Sequence, residues 1–388
     1  MMMMRRRDSL MNTSAFLARQ GLLVLVIVLM TVFCLPCGAF AEAASIPAGI
    51  PLHDRSALKN WGFFYVGGEY VESEADKGSV MRGQMYVEVF EPAEVTKPYP
   101  LVFLHGNYQT GLNWMGTVNG GDGWVDYFLG QGYIAYVCDM PTRGRASYPG
   151  EEGLKTRNVT AERALSSFAG VGNEKQHQWP EDISVDSEAF KQFYATQNVS
   201  LASNVIMQEL AQNACAELLD LIGPAILVTH SQSGPFGWLI ADVRPELVKG
   251  IVALEPGGPA FSKGNTDFGV AALNMAFEPA VESAEEIETE TFVPAENSGL
   301  REGPLQKEPA RKLVNLAGIP IVIITSEGSY HNTYDYLISA FLTQAGVENE
   351  HIYLADRGIH GNGHMMMIEN NSLEIAALVN DWITAHVE

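Results

Sequence analysis

Short apolar runs alternate with longer amphipathic runs along most of the chain. The apolar runs from residue 101 onward are continuous, which is typical of strands that helices cover on both faces. The pattern predicts strands at residues 63–71, 84–90, 101–104, 134–138, 225–229, 250–254, 321–325 and 351–354.

The amphipathic runs predict helices at residues 123–130, 203–221, 235–243, 333–344 and 373–385. Pro235 lies in a first turn, where proline is tolerated, and glycines 130, 223 and 346 stand where helices stop. Because strands and helices alternate, we expect an α/β fold with a mostly parallel eight-stranded sheet flanked by helices.

Two long segments interrupt this alternation, at residues 141–202 and 256–318. Segments of this length between core elements are uncommon unless they fold over a site or are disordered. We expect them to form a cap or lid. A run of glutamates in the second segment favours a solvated face there. Its members are Glu278, Glu282, Glu285, Glu286, Glu288, Glu290 and Glu296.

The start of the chain has the pattern of an export signal. Its basic front consists of Arg5, Arg6, Arg7 and Arg19. The apolar run at residues 22–35 is shorter than the roughly 20 residues of a membrane span, and Ala-Phe-Ala at 39–41 offers a cleavage site. We expect a signal peptide at residues 1–41 and a secreted or periplasmic single domain at residues 42–388. An uncleaved anchor is the alternative.

Composition and charge narrow the classes of function. Of the 388 residues, 47% are hydrophobic and 18% are charged, as in a globular protein with ample material for a core. The formal net charge of −22 repels polyanions. Neither nucleic acid nor a membrane surface is therefore an expected partner once the signal is cleaved. The oligomeric state stays open.

Cysteines and histidines predict no disulfide framework and no metal centre. Cys138 and Cys215 follow the predicted signal, and export permits one bond between them. His360 and His364 are separated by Gly-Asn-Gly, which does not favour a helix. Without a helix, the two imidazoles are not held on one face where they could bind the same ion. No cofactor is expected.

The segment THSQSG at residues 229–234 joins an apolar strand to a helix. A tight turn in this context can present a nucleophilic serine if the residues two before and two after it are small. Thr229 and Ser233 meet that condition loosely, since the usual motif has glycine at both places. Ser231 is the candidate nucleophile, and a chance serine is the alternative.

A serine hydroxyl needs an adjacent base to take its proton. After the last predicted strand, the segment DRGIHGNGHM at residues 356–365 is rich enough in glycine for a histidine to reach back over the sheet. His364 is the candidate base because its loop immediately precedes the final helix. His360, nearer the strand, is the alternative and also fits a structural role.

The base in turn needs a carboxylate that fixes its tautomer and stabilises the imidazolium. Glu255 and Glu327 both follow apolar strands, and either preserves the chain order serine, acid, histidine. Glu255 is favoured because Pro-Gly-Gly follows it and would hold its backbone at the edge of the sheet. Glu327 stays open as the alternative acid.

Negative charge builds on the carbonyl oxygen during attack, so N–H donors must already point to it. An earlier strand ends in His105 and Gly106, and the glycine permits the main chain to curl toward the nucleophile. The expected donors are the backbone N–H groups of Asn107 and of Gln232, the residue after the serine.

These features together resemble the α/β-hydrolase superfamily over nearly all of residues 61–388. More narrowly, the segments THSQSGP at 229–235, ALEPGGP at 253–259 and GNGHM at 361–365 resemble a branch of secreted bacterial carboxylesterases. In that branch the acid is a glutamate after the sixth strand, which implies Glu255. Members of the branch carry adjacent cysteines beside the oxyanion hole, where this chain has Asn107 and Tyr108.

The resemblance and the residues together predict a serine carboxylic ester hydrolase that cleaves a small-molecule ester through an acyl-enzyme on a Ser-His-Glu triad. A lactonase or amidase on the same triad is one alternative, because a single triad hosts many acyl transfers. A catalytically silent binding protein on a hydrolase scaffold is the alternative from another class. An acidic cap with aromatic residues is expected to disfavour polyanionic substrates.

Overall fold

The strands build one large sheet and four two-stranded ones within the part of the chain that the computed structural model describes, residues 45–47, 49–74, 76–146 and 154–387. The strands are β1 (Leu58–Val66), β2 (Glu69–Ser73), β3 (Gly78–Arg82), β4 (Met85–Pro92), β5 (Leu101–Leu104), β6 (Ala135–Asp139), β7 (Thr156–Arg157), β8 (Ser200–Leu201), β9 (Ala225–His230), β10 (Val248–Leu254), β11 (Phe277–Glu278), β12 (Thr289–Phe292), β13 (Gly303–Gln306), β14 (Lys312–Leu313), β15 (Ile321–Thr325) and β16 (Glu350–Tyr353).

The large sheet has the order β1-β4-β6-β5-β9-β10-β15-β16. Strand β4 pairs antiparallel with β1 and β6, and the pairs from β6 through β16 are parallel. Parallel strands end at the same edge of a sheet, where the sites of open α/β folds lie. The loops after β5, β9, β10, β15 and β16 therefore gather along one rim.

Helices cover both faces of this sheet. They are α1 (Trp124–Gly130), α2 (Ala161–Phe168), α3 (Glu188–Ala195), α4 (Asn204–Ile222), α5 (Gly234–Val243), α6 (Asp335–Gln344) and α7 (Ser372–His386). Side chains of α4, α5 and α6 join one core cluster and those of α1 and α7 join the other. Since successive strand residues point to opposite faces, Val102 and Leu104 enter the first cluster while Leu101 and Phe103 enter the second.

The predicted alternation is confirmed, with most core strands and helices shifted by at most two residues. The strand predicted at 63–71 is wrong, because β1 ends at Val66 and β2 begins at Glu69. Gly67 and Gly68 break it with φ angles of 69° and 87°, a region that favours glycine. A side chain at Gly68 would also place its Cβ 2.8 Å from the backbone nitrogen of Gln84.

The two segments predicted as a cap carry short elements of their own. Residues 141–202 include α2, α3 and the antiparallel pair β7–β8, which the hydrophobic pattern missed. Residues 256–318 include the antiparallel pairs β11–β14 and β12–β13. All the glutamates named above in the second segment are exposed, so the solvated face is confirmed. Their role as a cap stays a prediction.

The chain divides into a unit of residues 1–50 and a compact unit of residues 51–388. Of the first unit, residues 45–47 and 49–50 are described, and they are exposed without helix or strand. The predicted signal peptide at 1–41 lies outside the described residues. Across the described ranges, no helix combines the length and hydrophobicity that a membrane crossing requires.

Cys138 and Cys215 are both free and buried, so the bond that export would permit is absent. Cys138 lies on β6 and Cys215 on α4, where its Sγ is 3.8 Å from the Sδ of Met85. Burial raises the pKa of the Cys138 thiol well above its usual value and that of Cys215 to about 12. A thiol that stays protonated is a poor nucleophile.

We therefore expect iodoacetamide to leave both cysteines unmodified in the native protein and to label both in concentrated urea without any reductant. Peptide mass spectrometry after each treatment measures this, and a reduced aliquot in urea serves as the control for complete labelling. Labelling in urea that required prior reduction would contradict the free thiols.

Candidate active site

Ser231 occupies a strained turn between β9 and α5. Its φ of 53° lies in the left-handed region, which is uncommon for residues other than glycine. Ser233 contributes to this turn: its Oγ accepts a hydrogen bond from the His230 N–H at 2.8 Å and donates to the Leu104 carbonyl of β5 at 2.7 Å. A glycine could not make these contacts, so the departure from the usual motif supplies a clamp between β5 and β9.

Two glycines let neighbouring loops approach the turn. A Cβ at Gly106 would lie 2.8 Å from Nδ1 of His230 and 3.0 Å from Cβ of Ser231. A Cβ at Gly234 would lie 2.3 Å from Cβ of Pro256, in the loop after β10. Any side chain at either position would therefore push apart loops that meet at the serine.

His364 and Glu255 form a buried contact at the same rim. Nδ1 of His364 lies 2.6 Å from Oε2 of Glu255, and the two residues are 1% and 0% exposed. Because a carboxylate only accepts, this contact places the proton of the neutral imidazole on Nδ1 and leaves Nε2 as an acceptor. That is the tautomer a general base requires.

Three further donors surround the Glu255 carboxylate. Its Oε1 accepts from the backbone N–H of Ser326 at 2.9 Å and from the Ser326 hydroxyl, and its Oε2 accepts from the Ser329 hydroxyl at 2.6 Å. Hydrogen bonds of this kind favour the charged form of a buried carboxylate. Both serines follow β15, so the neighbouring strand end stabilises the charge that β10 carries.

The alternative residues lie together elsewhere. Nδ1 of His360 is 3.0 Å from Oε1 of Glu327, which also accepts from the Gly361 N–H at 3.0 Å. The His360 side chain is 56% exposed. Burial raises the pKa of Glu327, but these hydrogen bonds outweigh it and the pKa is lowered overall. Glu327 and His360 thus form a surface pair that braces the loop carrying His364.

Ser231 and His364 line one cavity with Asn107 and Gln232. No hydrogen bond joins the serine hydroxyl to the His364 imidazole within the described residues. Catalytic hydrogen bonds are often long in an enzyme without substrate and tighten when it binds. The structure thus brings the predicted nucleophile and base to one cavity without joining them directly.

Arg143 ties together the two segments that carry the expected oxyanion donors. It is 1% exposed, and its Nη2 donates to Oδ1 of Asn107 at 3.1 Å, to Oε1 of Gln232 at 3.0 Å and to the hydroxyl of Ser200. The Asn107 N–H has no hydrogen-bond acceptor among the described residues, although the group borders the cavity. A donor left free in this way is available to a ligand oxygen.

His105, just before these donors, acts as a brace rather than a proton carrier. Its Nε2 accepts from the Met140 N–H at 3.0 Å while its Nδ1 contacts the Gly106 carbonyl at 2.9 Å. Burial, reinforced by the charge of Arg143, lowers the pKa of His105 to about 4. The imidazole is therefore neutral and fixes β5 against the end of β6.

A second histidine beside His364 was missed in the sequence analysis. His331 stacks on His364 with ring centres 4.7 Å apart and planes 9° apart, and its Nδ1 lies 2.8 Å from Oδ1 of Asp335. Burial lowers the pKa of His331, but the charge of Asp335 outweighs this and the pKa is raised overall. One ligand atom each from Glu255, His331 and His364 also lies within 4.8 Å of the others, close enough to ligate one ion.

Glu369, also missed, fixes the loop that carries His364. Its carboxylate accepts from the Gly363 N–H at 3.0 Å, the Asn362 side chain at 2.8 Å, Nε1 of Trp179 at 3.1 Å and Nε2 of Gln176 at 3.2 Å. Burial raises its pKa to about 7 despite these donors. The sequence signal was weak, since a single glutamate after three methionines carries no spacing rule.

The sheet order and the serine turn at its rim define an α/β-hydrolase fold. Among solved structures, the chain is similar to a novel bacterial esterase with a TM-score of 0.62 and 23% identity, over 89% of this chain and 100% of that one. It is also 38% identical over 375 residues to the "Probable secreted lipase phiG" of Fungal sp. (strain ATCC 74256), which covers 93% of this chain and 98% of that protein. No family model matches the chain. At this identity and coverage, the chain belongs to the same α/β-hydrolase family as that lipase.

The bonding of Glu369 yields a test of what fixes the His364 loop. Glu369→Ala removes the acceptor of the buried Gly363 N–H and of Nε1 of Trp179. It also removes one of the two acceptors of the Asn362 and Gln176 side-chain amides. Each buried donor left without its partner costs about 1–3 kcal/mol. We expect urea unfolding to show a loss of at least about 3 kcal/mol in the free energy of unfolding.

The matched control is Glu374→Ala, an exposed glutamate in the first turn of α7, for which we expect a loss below about 1 kcal/mol. Equal losses for the two variants would show that Glu369 does not fix the loop.

Proposed function

We propose that the protein is a serine hydrolase that cleaves carboxylic esters through an acyl-enzyme. The proposal rests chiefly on the buried contact between His364 and Glu255, which borders the same cavity as the strained Ser231. Family membership supports it, because the curated relative is named a lipase. The name of that relative and the predicted signal peptide also support secretion of this chain.

In the proposed mechanism, Ser231 Oγ attacks the ester carbonyl while Nε2 of His364 takes its proton. Glu255 keeps the imidazole in the required tautomer and stabilises the imidazolium. The N–H groups of Asn107 and Gln232 stabilise the oxyanion, with Arg143 fixing both segments. His364 then gives the proton to the leaving alcohol, and a water molecule releases the acid by the reverse path.

The nucleophile is tested by Ser231→Ala. We expect kcat for p-nitrophenyl acetate to fall by about 10⁶-fold, as in triad knockouts, and labelling by a fluorophosphonate probe to vanish. Ser79→Ala, an exposed serine on β3, is the control and should match the wild type. Retained hydrolysis in Ser231→Ala would refute the assignment, and an unlabelled wild type would favour a silent binding protein.

The two pairs of glutamate and histidine offer an internal comparison. Glu255→Gln should lower kcat by about 10⁴-fold, because an amide no longer enforces the tautomer of His364. Glu327→Gln should lower kcat by less than about threefold, because the amide oxygen can still accept from the Gly361 N–H and only the charge beside the exposed His360 is lost. Steady-state kinetics on both variants checks this, and the reverse ranking would make Glu327 the acid.

The pH profile tests the surroundings of the base. Burial and the adjacent His331 lower the pKa of His364 well below its usual value of 6.5. In the proposed mechanism, His364 can accept a proton only when its imidazole is neutral. On the acid limb, as the pH falls, kcat/KM should therefore begin to decline only below pH 6.5. His331→Gln removes the neighbour that lowers this pKa, so the limb should move to higher pH. A wild-type limb above pH 6.5 would contradict this assignment.

A further inference from the structure

The cavity at Ser231 has an unexpected charge. Its volume is about 370 Å³, and apart from histidine and tyrosine the ionisable residues that line it among those described are Arg157 and Arg163. No carboxylate of the described residues lines it, although the chain has 46 acidic and 24 basic residues. If charged residues were distributed at random in so acidic a chain, carboxylates would outnumber arginines at the cavity.

Arg157 presents unused donors at this cavity. It lies on β7, where its Nη2 donates to Oδ1 of Asn204 at 3.1 Å and its guanidinium lies 5.9 Å from the Tyr108 ring centre. Its Nε is buried without a hydrogen-bond partner. A buried N–H without an acceptor costs free energy, which a bound acceptor would restore.

Arg163 adds a second guanidinium from the first turn of α2. Its side chain makes no hydrogen bond and no ion pair with any described residue, and it also lines the cavity. Other arginines of the chain do have acidic partners, for example Arg145 with Asp139 at 2.8 Å and Arg244 with Asp220 at 2.7 Å. Arg157 and Arg163 differ from these arginines because neither pairs with a carboxylate of the described residues.

Arg143 places a third positive charge near Arg157. Its Nε and Nη1 are buried without partners, and no carboxylate of the described residues pairs with it. Burial and the nearby charge of Arg157 lower its pKa to about 9. An uncompensated buried cation is strongly unfavourable, so an anion at the cavity would relieve both arginines.

We propose that the cavity binds esters that carry a carboxylate, which pairs with Arg157 and Arg163 while the ester bond lies at Ser231. This inference rests on the proposed function and assigns its substrate class. A guanidinium matches a carboxylate in shape and can donate two parallel hydrogen bonds to it. The expectation that an acidic cap disfavours polyanionic substrates does not exclude such an ester, since the exposed glutamates do not line the cavity and the two arginines do.

The same charges could instead serve the oxyanion of every substrate. In that case, removing an arginine would slow neutral and anionic esters alike, whereas a carboxylate site affects the anionic ester selectively. Pairs of esters matched in size therefore separate the two roles. One pair is p-nitrophenyl hydrogen glutarate and p-nitrophenyl methyl glutarate, with the charge in the acyl part. The other is 4-acetoxybenzoate and methyl 4-acetoxybenzoate, with the charge in the alcohol part.

We expect the wild type to prefer the anionic member of at least one pair, by kcat/KM. In that pair, Arg157→Gln and Arg163→Gln should each reduce the anionic-to-neutral ratio about tenfold or more, chiefly through KM, as expected for losing a charged hydrogen bond. Arg357→Gln, an exposed arginine paired with Glu350, is the control and should leave the ratio unchanged. Preference for the neutral member of both pairs, or an unchanged ratio in both cavity variants, would overturn the proposal.

Binding without turnover separates this inference from the proposed function. Glutarate should raise the melting temperature of Ser231→Ala more than sodium chloride at equal ionic strength, and Arg157→Gln in that background should abolish the difference. No shift with glutarate would overturn the carboxylate site. Hydrolysis retained by Ser231→Ala would refute the nucleophile while leaving the glutarate result to decide the site.

Discussion

The contact between His364 and Glu255 is the constraint on which the rim of this sheet depends. A fully buried carboxylate must have its acceptor sites filled, because burying an unpaired charge is far costlier than any single packing defect. Ser326 and Ser329 fill them from the end of β15, and the glutamate itself comes from β10. The loop after β16 must then return to the same place with its histidine. Three strand ends are thereby fixed by one negative charge.

Much of this arrangement could be predicted from local patterns. Continuous apolar runs gave the parallel strands because a strand covered on both faces has no polar side. The candidate residues Ser231, Glu255 and His364 each follow such a run. Because the strands of a parallel sheet end at the same edge, the three residues were expected to lie along one rim. The chain order left both glutamates open; the Pro-Gly-Gly after Glu255 favoured it over Glu327, and the family resemblance supported that choice. Of these two glutamates, Glu255 contacts His364 and Glu327 contacts His360.

The residues that escaped prediction act across distances that no local pattern encodes. His331 stacks on His364 and Glu369 binds the loop before it, and both contacts depend on the path of loops that only the whole fold determines. Neither residue belongs to a spacing motif. Arg143 comes shortly after β6, yet its side chain is buried and donates to residues more than fifty positions away. Helices α2 and α3 are each eight residues long and lie inside a long insertion, where no alternation of strands and helices indicated them. Their N-caps, Thr160 and Ser187, are the local signals that the sequence offers.

The link between the insertion at 141–202 and the histidine loop has a mechanical consequence. Gln176 and Trp179 bind the same carboxylate that holds Gly363, and Phe168 stacks on His364 with ring centres 6.0 Å apart. The segment that carries both cavity arginines therefore also supports the imidazole ring of His364. A substitution that displaced this insertion would therefore alter the lining of the cavity and remove support from the His364 ring at the same time. Recognition and orientation of the imidazole are coupled through one stretch of chain.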